Sequence, residues 1–306
     1  VVIGNFDGVH RGHRAVIQTA LELGRADGLR CLVLTFHPHP AEVLGRGGRP
    51  VLTNIDRKVE LLLRLGDSLE VVVEPFTLEL SRLTPRTFAR DVLVERLGAK
   101  TVIVGENFRF GHERAGDLKT LRALGQELGF DARAEPLVGD EEGLFSSTRA
   151  REALELGDLA RVERCLGRPH SLFGRVIEGA ARGRTLGFPT ANLGGVIEAL
   201  PPHGVYACLV DVVEGTGPGR ALARGVMNLG VRPTLAAGFS AEVHLLDFSR
   251  DLYGQSLRVH LISKLRDEQR FSSLDALKAQ ITADVESARA ALRHCQPAPD
   301  ADGAWA

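Results

Sequence analysis

The sequence is short of several features that would place it quickly. No apolar run approaches the roughly 20 residues that a membrane-spanning helix needs, so a membrane protein is not expected. A basic stretch followed by an apolar one, the mark of a secretory signal, is missing from the first residues, and a cytoplasmic protein is the expectation. Charge of one sign does not dominate either. The formal net charge is −1, whereas proteins that bind polyanions normally carry a basic footprint, so nucleic acid is not an expected partner. Cysteine is scarce: Cys31, Cys165, Cys208 and Cys295 are far apart and form no CxxC pair. Neither a zinc site nor a disulfide framework is signalled, and buried thiols are expected. There is no internal repeat and no GxxxxGK[ST] loop, which excludes a P-loop phosphate site.

What is present is a chain of 306 residues with 44% hydrophobic and 25% charged residues, enough for two globular domains. Up to about residue 138, the β-branched runs VVIG, CLVLTF, LEVVVEPF and KTVIVG alternate with helical periodicity over 11–25, 57–66, 85–97 and 117–129. Alternating strand and helix predict an α/β half with a parallel sheet covered on both faces, because parallel neighbours need a crossover. Thr84 before Pro85 reads as an N-cap with proline at the first helical position, and Gly98 as that helix's stop. Two short helical stretches, STRAREALELG and DLARVERCLG, lead to GRPH at 167–170. From Ser171 the strand-like runs SLFGRVIEG, GVYACLVDVV, RALARGVMNLG, SAEVHLLDF and SLRVHLISKL follow, with no long helix between them. They predict an antiparallel β-barrel. A terminal helix with Leu274, Leu277, Ile281, Val285, Ala288 and Leu292 on one face, capped by Ser272 or Ser273, comes next, and the tail after about 295 is expected to be loosely ordered. The expected division is 1–167 and 168–306.

The first apolar run ends in GNFDGVHRGH, residues 4–13, and a helix starts at about residue 11. This puts the cluster at the carboxyl edge of the sheet, where open α/β folds bind ligands. Glycines at 8 and 12 let backbone approach a ligand, and a helix N-terminus offers unpaired N–H groups to a phosphate. His10 and His13, one turn apart, can donate to the same anion. Asn107, Phe108 and Arg109 follow the strand KTVIVG and reach the same edge, although a Phe-Arg-Phe stretch alone also reads as a loop packed on the core. In AEVHLLDF, the alternation puts Glu242, His244 and Leu246 on one face and Val243, Leu245 and Asp247 on the other.

HxGH after a G-N-F-D strand end resembles the nucleotidyltransferase signature of the bacterial bifunctional riboflavin kinase/FAD synthetase (FMN adenylyltransferase) family. Further matching strings arrive in that family's order: TFHPHP at 35–40, VGENFRFGHERAGD at 104–117, SSTRAR at 146–151, RGRTLGFPTANL at 182–193, GVMNLGVRPT at 225–234 and EVHLLDFSRDLYG at 242–254. The resemblance covers nearly the whole chain. It implies a Rossmann-like FMN adenylyltransferase half over 1–167 and a riboflavin kinase barrel over 168–306, with ATP as co-substrate and riboflavin, FMN and FAD as substrates and products. Asn107 stands where many relatives have Asp, and Ala150 where a branched apolar residue is usual; neither change removes a reactive group.

By this resemblance His10 and His13 are catalytic and bind the triphosphate, together with Gly4, Phe6, Asp7 and Gly12, while Ser147, Thr148 and Arg151 close over it. A hydroxyl at a helix start with an arginine one turn later would itself hold an anion, although alone SSTRAR also reads as an ordinary capped helix. Asn107, Phe108 and Arg109 would line a flavin or nucleotide pocket, and His37 and His39 would contact substrate. In the second half, Gly179, Arg182, Gly183, Arg184 and Gly187 would form a phosphate loop. Thr190 and Asn192 would offer oxygen ligands to Mg²⁺, and Glu242 would be the catalytic base. Arg266 would contact flavin substrate, with an ion pair to a nearby acid as the alternative. The rival reading from another class is a metal-dependent hydrolase, with the HPH and HxGH histidines as ligands. The sequence leaves the oligomeric state open.

Overall fold

The computed structural model describes the chain apart from residues 46, 48, 180–182, 184, 185, 232–238, 297–304 and 306. It divides into two compact units, Val1–Pro50 with Arg57–Ser147, and Val51–Asp56 with Thr148–Ala306.

The first unit holds a five-stranded parallel sheet of β1 (Val2–Ile3), β2 (Cys31–His37), β3 (Leu69–Pro75), β4 (Thr101–Gly105) and β5 (Asp131–Glu135), in the order β3-β2-β1-β4-β5. Adjacent residues of the central strands feed opposite layers, as period-two geometry requires. Val2, Val33 and Ile103 pack with Ile17, Leu21, Leu61 and Leu62, residues of helices α1 (Arg11–Asp27) and α3 (Ile55–Leu63). Ile3, Leu34, Val102 and Val104 pack on the other side with Phe88, Leu93 and Leu121. A short helix α2 (Pro40–Val43) follows β2, and α4 (Leu78–Ser81) follows β3. The helix expected over 85–97 starts as foreseen: Thr84 caps it by accepting from the Thr87 N–H, with Pro85 in the first turn of α5 (Pro85–Thr87). It then widens into a π-helical stretch, Phe88–Arg96, and ends before Gly98, whose φ is +61°. The helix α6 (Leu118–Leu128) is capped by Asp117, which accepts from the Thr120 N–H. A hairpin, β6 (Gly139–Asp140) with β7 (Gly143–Leu144), lies near the end of the unit.

The second unit is a closed antiparallel barrel of β8 (His170–Ile177), β9 (Ala191–Gly194), β10 (Gly204–Val213), β11 (Gly219–Val231), β12 (Phe239–Leu245) and β13 (Ser256–Arg266). Its strands run round in the order β10-β11-β12-β9-β8-β13. A long helix, Leu274–Leu292, capped by Ser273, lays Val285, Ala288 and Leu292 over Val205, Ala207, Leu209 and Val226. Two helices precede the barrel, α7 (Ser147–Glu155) and α8 (Leu159–Leu166), and α8 packs on β8 and β13. Packing therefore divides the chain at Ser147/Thr148, about twenty residues before the change of fold class that sequence patterning registers. The segment Val51–Asp56 also belongs to this unit. The Ala199 N–H donates to the Val51 carbonyl at 2.7 Å, and Asn54 donates to the buried Glu198 carboxylate at 2.7 Å. Trp305, in the tail expected to be loose, is held on the barrel: its backbone N–H donates to Asp211 and its indole N–H to the Val210 carbonyl, both at 3.0 Å.

Candidate active sites

In the strand order of the first sheet, β1 and β4 are where the chain reverses direction, and ligands of open α/β sheets bind beyond the carboxyl ends of strands at such points. The loop from Gly4 to His10 leaves β1 there. Its backbone is strained: Phe6 has φ +48° and Val9 φ +38°, on either side of Gly8 at +83°. A β-branched residue in this region is an outlier, and strain of this kind is stored where geometry matters more than stability. The loop ends on His10, the N-cap of α1, whose Nδ1 accepts from the His13 N–H at 3.3 Å. A ring nitrogen that accepts carries no proton, so the neutral His10 ring has its proton on Nε2. The His10 and His13 rings stack with centroids 3.5 Å apart, and Phe6 meets His13 edge-on. The glycines are required by close approach. A β-carbon on Gly12 would lie 3.0 Å from His10 Nδ1 and 3.1 Å from the Phe145 carbonyl, and one on Gly4 would lie 3.0 Å from the Phe6 ring.

Burial holds the His13 pKa well below its ordinary value, and any positive charge taken up by the His10 ring, like that of the Lys58 ammonium, pushes it the same way. His13 is therefore neutral at neutral pH. Its Nδ1 is buried without a hydrogen-bond partner among the described residues, a costly state that a ligand group can relieve. Lys58 is a functional candidate that sequence reasoning missed. It is only 5% exposed, and burial lowers its pKa against the opposing pull of the Asp7 carboxylate. The signal existed: Lys58 occupies a core-facing helical position with Leu61 and Leu62 at i+3 and i+4.

Ser147 Oγ donates to the Asp7 carbonyl at 2.9 Å. Thr148 follows in the first turn of α7, and Arg151 lies one turn after Ser147. Asn107 and Arg109 are exposed just past β4, where Arg109 lies 3.3 Å from Asp117, and the Phe108 and Phe110 rings stack at 5.5 Å. His39 caps α2 by accepting from the Ala41 N–H at 3.2 Å, and His37 ends β2 in an exposed position. Among the described residues no three His, Cys, Asp or Glu side chains cluster as metal ligands would, so the hydrolase reading gains no support.

On the barrel, β9 pairs with β12 so that Asn192 lies opposite Glu242. The Thr190 hydroxyl donates to Glu242 Oε2 at 3.4 Å, and the Ser240 hydroxyl to Oε1 at 3.0 Å. Three residues expected at the kinase site are thus brought together. A β-carbon on Gly179 would overlap the Asn192 amide and one on Gly183 the Phe188 carbonyl, while Gly187 is needed for its φ of +90°. Arg182 and Arg184 lie outside the described residues. Arg266 donates through Nε and Nη2 to Asp284, at 2.9 and 2.8 Å, and sits 5.6 Å from the centroid of the Phe271 ring. The structure gives it the ion pair that the sequence left as the alternative.

Residues 1–149 match the family model for FAD synthetase, and residues 166–292 the one for riboflavin kinase. Over 300 residues the chain is 42% identical to the bifunctional riboflavin kinase/FMN adenylyltransferase of Escherichia coli (strain K12), covering 97% of this chain and 94% of that protein. The enzyme of the same name from Bacillus subtilis (strain 168) is 34% identical over 94% of this chain and 90% of its own length. Among solved structures, a protein of Streptococcus pneumoniae named as a macrolide-efflux protein superposes with a TM-score of 0.81 at 30% identity, covering 94% of this chain and 93% of that one. No described helix here is long and apolar enough to cross a membrane.

Proposed function

Because the chain belongs to the bifunctional riboflavin kinase/FMN adenylyltransferase family, we propose which of its residues carry each step. The C-terminal half phosphorylates riboflavin to FMN, and the N-terminal half adenylylates FMN to FAD. The functional boundary lies at 167/168, supported by the kinase model's start at 166. Functional halves and packing units then differ over 148–167.

In adenylyl transfer an FMN phosphate oxygen attacks the α-phosphorus of ATP, and the bond to pyrophosphate breaks. The nucleophile is already an anion, so the protein positions two anions and stabilises spreading charge. His10 Nε2–H, the ring of neutral His13 and the N-terminal amides of α1 hold the triphosphate, with Gly4, Phe6, Asp7 and Gly12 shaping the loop. Ser147 adds its hydroxyl beside this loop, Thr148 and Arg151 are assigned to the triphosphate by the family resemblance, and Asn107, Phe108 and Arg109 flank the flavin. The unpaired Nδ1 of His13 supports this reading, since a phosphate oxygen would satisfy it.

In the kinase step a riboflavin hydroxyl attacks the γ-phosphorus of ATP and ADP leaves. Glu242 accepts the hydroxyl proton. Thr190 and Asn192 form an oxygen-only donor set that fits a hard cation such as Mg²⁺, which when bound neutralises phosphate charge. Gly179, Arg182, Gly183, Arg184 and Gly187 cover the phosphates. Arg266 acts on the flavin indirectly, from its pairing with Asp284. The observation that carries the kinase assignment is the register that sets Asn192 opposite Glu242, with the Thr190 hydroxyl on its carboxylate. The test is chromatography of products after incubation with riboflavin, ATP and Mg²⁺. FMN appearing first and FAD after it is expected; FAD from supplied FMN without any FMN from riboflavin would overturn the kinase assignment.

A further inference from the structure

His244 lies two residues beyond Glu242 on the same face of β12 and has no part in the chemistry above. Its Nδ1 is 2.8 Å from the Pro189 carbonyl oxygen. A carbonyl can only accept, so Nδ1 carries the proton and donates. The His244 ring also meets Phe188 edge-on, with centroids 5.6 Å apart at 82°. Phe188 in turn donates its backbone N–H to the Gly183 carbonyl at 2.9 Å. The next residue after Pro189 is Thr190, whose hydroxyl lies on Glu242. Consecutive α-carbons are a fixed ~3.8 Å apart across a trans peptide, so a shift of the Pro189 carbonyl is passed directly to Thr190. One face of β12 thus grips the PTAN segment twice, through Glu242 on Thr190 and through His244 on Pro189.

We propose that His244 is a positioning residue for phosphoryl transfer: its Nδ1–H bond to Pro189 fixes the 188–190 segment so that Thr190 and Asn192 meet the cation and triphosphate in register. The proposal rests on the kinase reading above and adds to it a residue that touches neither substrate nor metal. It acts on the nucleotide side of the site. Loss of the bond should therefore weaken use of MgATP and leave use of riboflavin alone.

Three full-length variants separate the hydrogen bond from ring packing. His244→Ala removes both; His244→Asn restores a donor at the place of Nδ1; His244→Gln carries its amide one atom too far. For His244→Ala and His244→Gln the KM for MgATP in riboflavin phosphorylation should rise about tenfold, roughly what one net hydrogen bond contributes. The KM for riboflavin should stay within about twofold. His244→Asn should return the MgATP value to within about threefold of the unsubstituted protein. Hydrogen exchange read by mass spectrometry over residues 186–194 should rise in the alanine and glutamine variants only. Unchanged exchange and unchanged MgATP dependence in His244→Ala would overturn the proposal, as would an asparagine variant as impaired as alanine. If Glu242→Gln leaves phosphorylation intact while exchange still follows the His244 series, the fault lies in the kinase assignment and the positioning contact stands.

Discussion

The two halves solve the problem of moving a phosphorus centre with different materials. The first site is backbone and neutral rings: a strained loop at a parallel sheet's edge, two stacked histidines and a helix N-terminus. The second is side chains on antiparallel strands, with a carboxylate held by two hydroxyls. In the proposed assignment the difference follows from the acidity of the nucleophile. A phosphate oxygen arrives without a proton and needs donors around the charge it carries, so neutral imidazoles and amides suffice. An alcohol must lose its proton as the bond to phosphorus forms, so a base must be present.

The largest test of that contrast is Glu242→Gln, which keeps shape and removes the base. Riboflavin phosphorylation should fall by about 10² to 10⁴, while conversion of supplied FMN to FAD stays within about twofold. Equal loss of both reactions would break the comparison. His13→Ala is the converse, and FAD formation should fall on the order of 10² to 10³, so that FMN accumulates from riboflavin. A smaller effect is expected of Gly12→Ala, whose new methyl would crowd His10 Nδ1 and the Phe145 carbonyl. About tenfold slower FAD formation and about 1–3 kcal/mol of lost stability from overpacking are expected, measured by product chromatography and urea unfolding, with kinase activity retained.

The smallest effect concerns pH. His13 is held neutral in the folded state, with its pKa below the ordinary 6.5. Its contribution to stability is fully present above pH 6.5 and is lost as pH falls below that value, because the unfolded chain takes up a proton that the folded one refuses. Unfolding free energy should decline on the acid side of 6.5, and less steeply in His13→Gln, as followed by circular dichroism in urea. An identical slope in both proteins would remove His13 as the cause.

Much of the fold was legible because strong local signals coincide with the architecture. Central strands such as CLVLTF, buried on both faces, read as continuous apolar runs, and Thr84-Pro85 and Ser273 mark helix starts. The edge strand β5 was missed because Asp131, Ala132, Arg133, Ala134 and Glu135 offer only two small apolar side chains. The π-helical widening over Phe88–Arg96 has no composition cue. At the sites, residue spacing singled out His10 and His13, while Glu242 stood out only through the family resemblance. Left-handed backbone at Phe6 and Val9 could not be foreseen, since both are residue types that avoid it. Asp284 as the partner of Arg266 is a contact made only by tertiary packing, and eighteen positions of sequence separate the two.

The segment Val51–Asp56, built into the unit of the barrel, sets a schedule for synthesis. It leaves the ribosome long before Glu198 and Ala199, its partners beside β8. At the ~5–20 residues per second of translation, the interval is on the order of ten to thirty seconds. During that time the first sheet can assemble from β1 to β5, but Asn54 and the Val51 carbonyl are without Glu198 and Ala199. The nascent chain therefore carries an early-made piece in reserve for a barrel that does not yet exist, and a ribosome stalled between the two halves would keep it from those two partners.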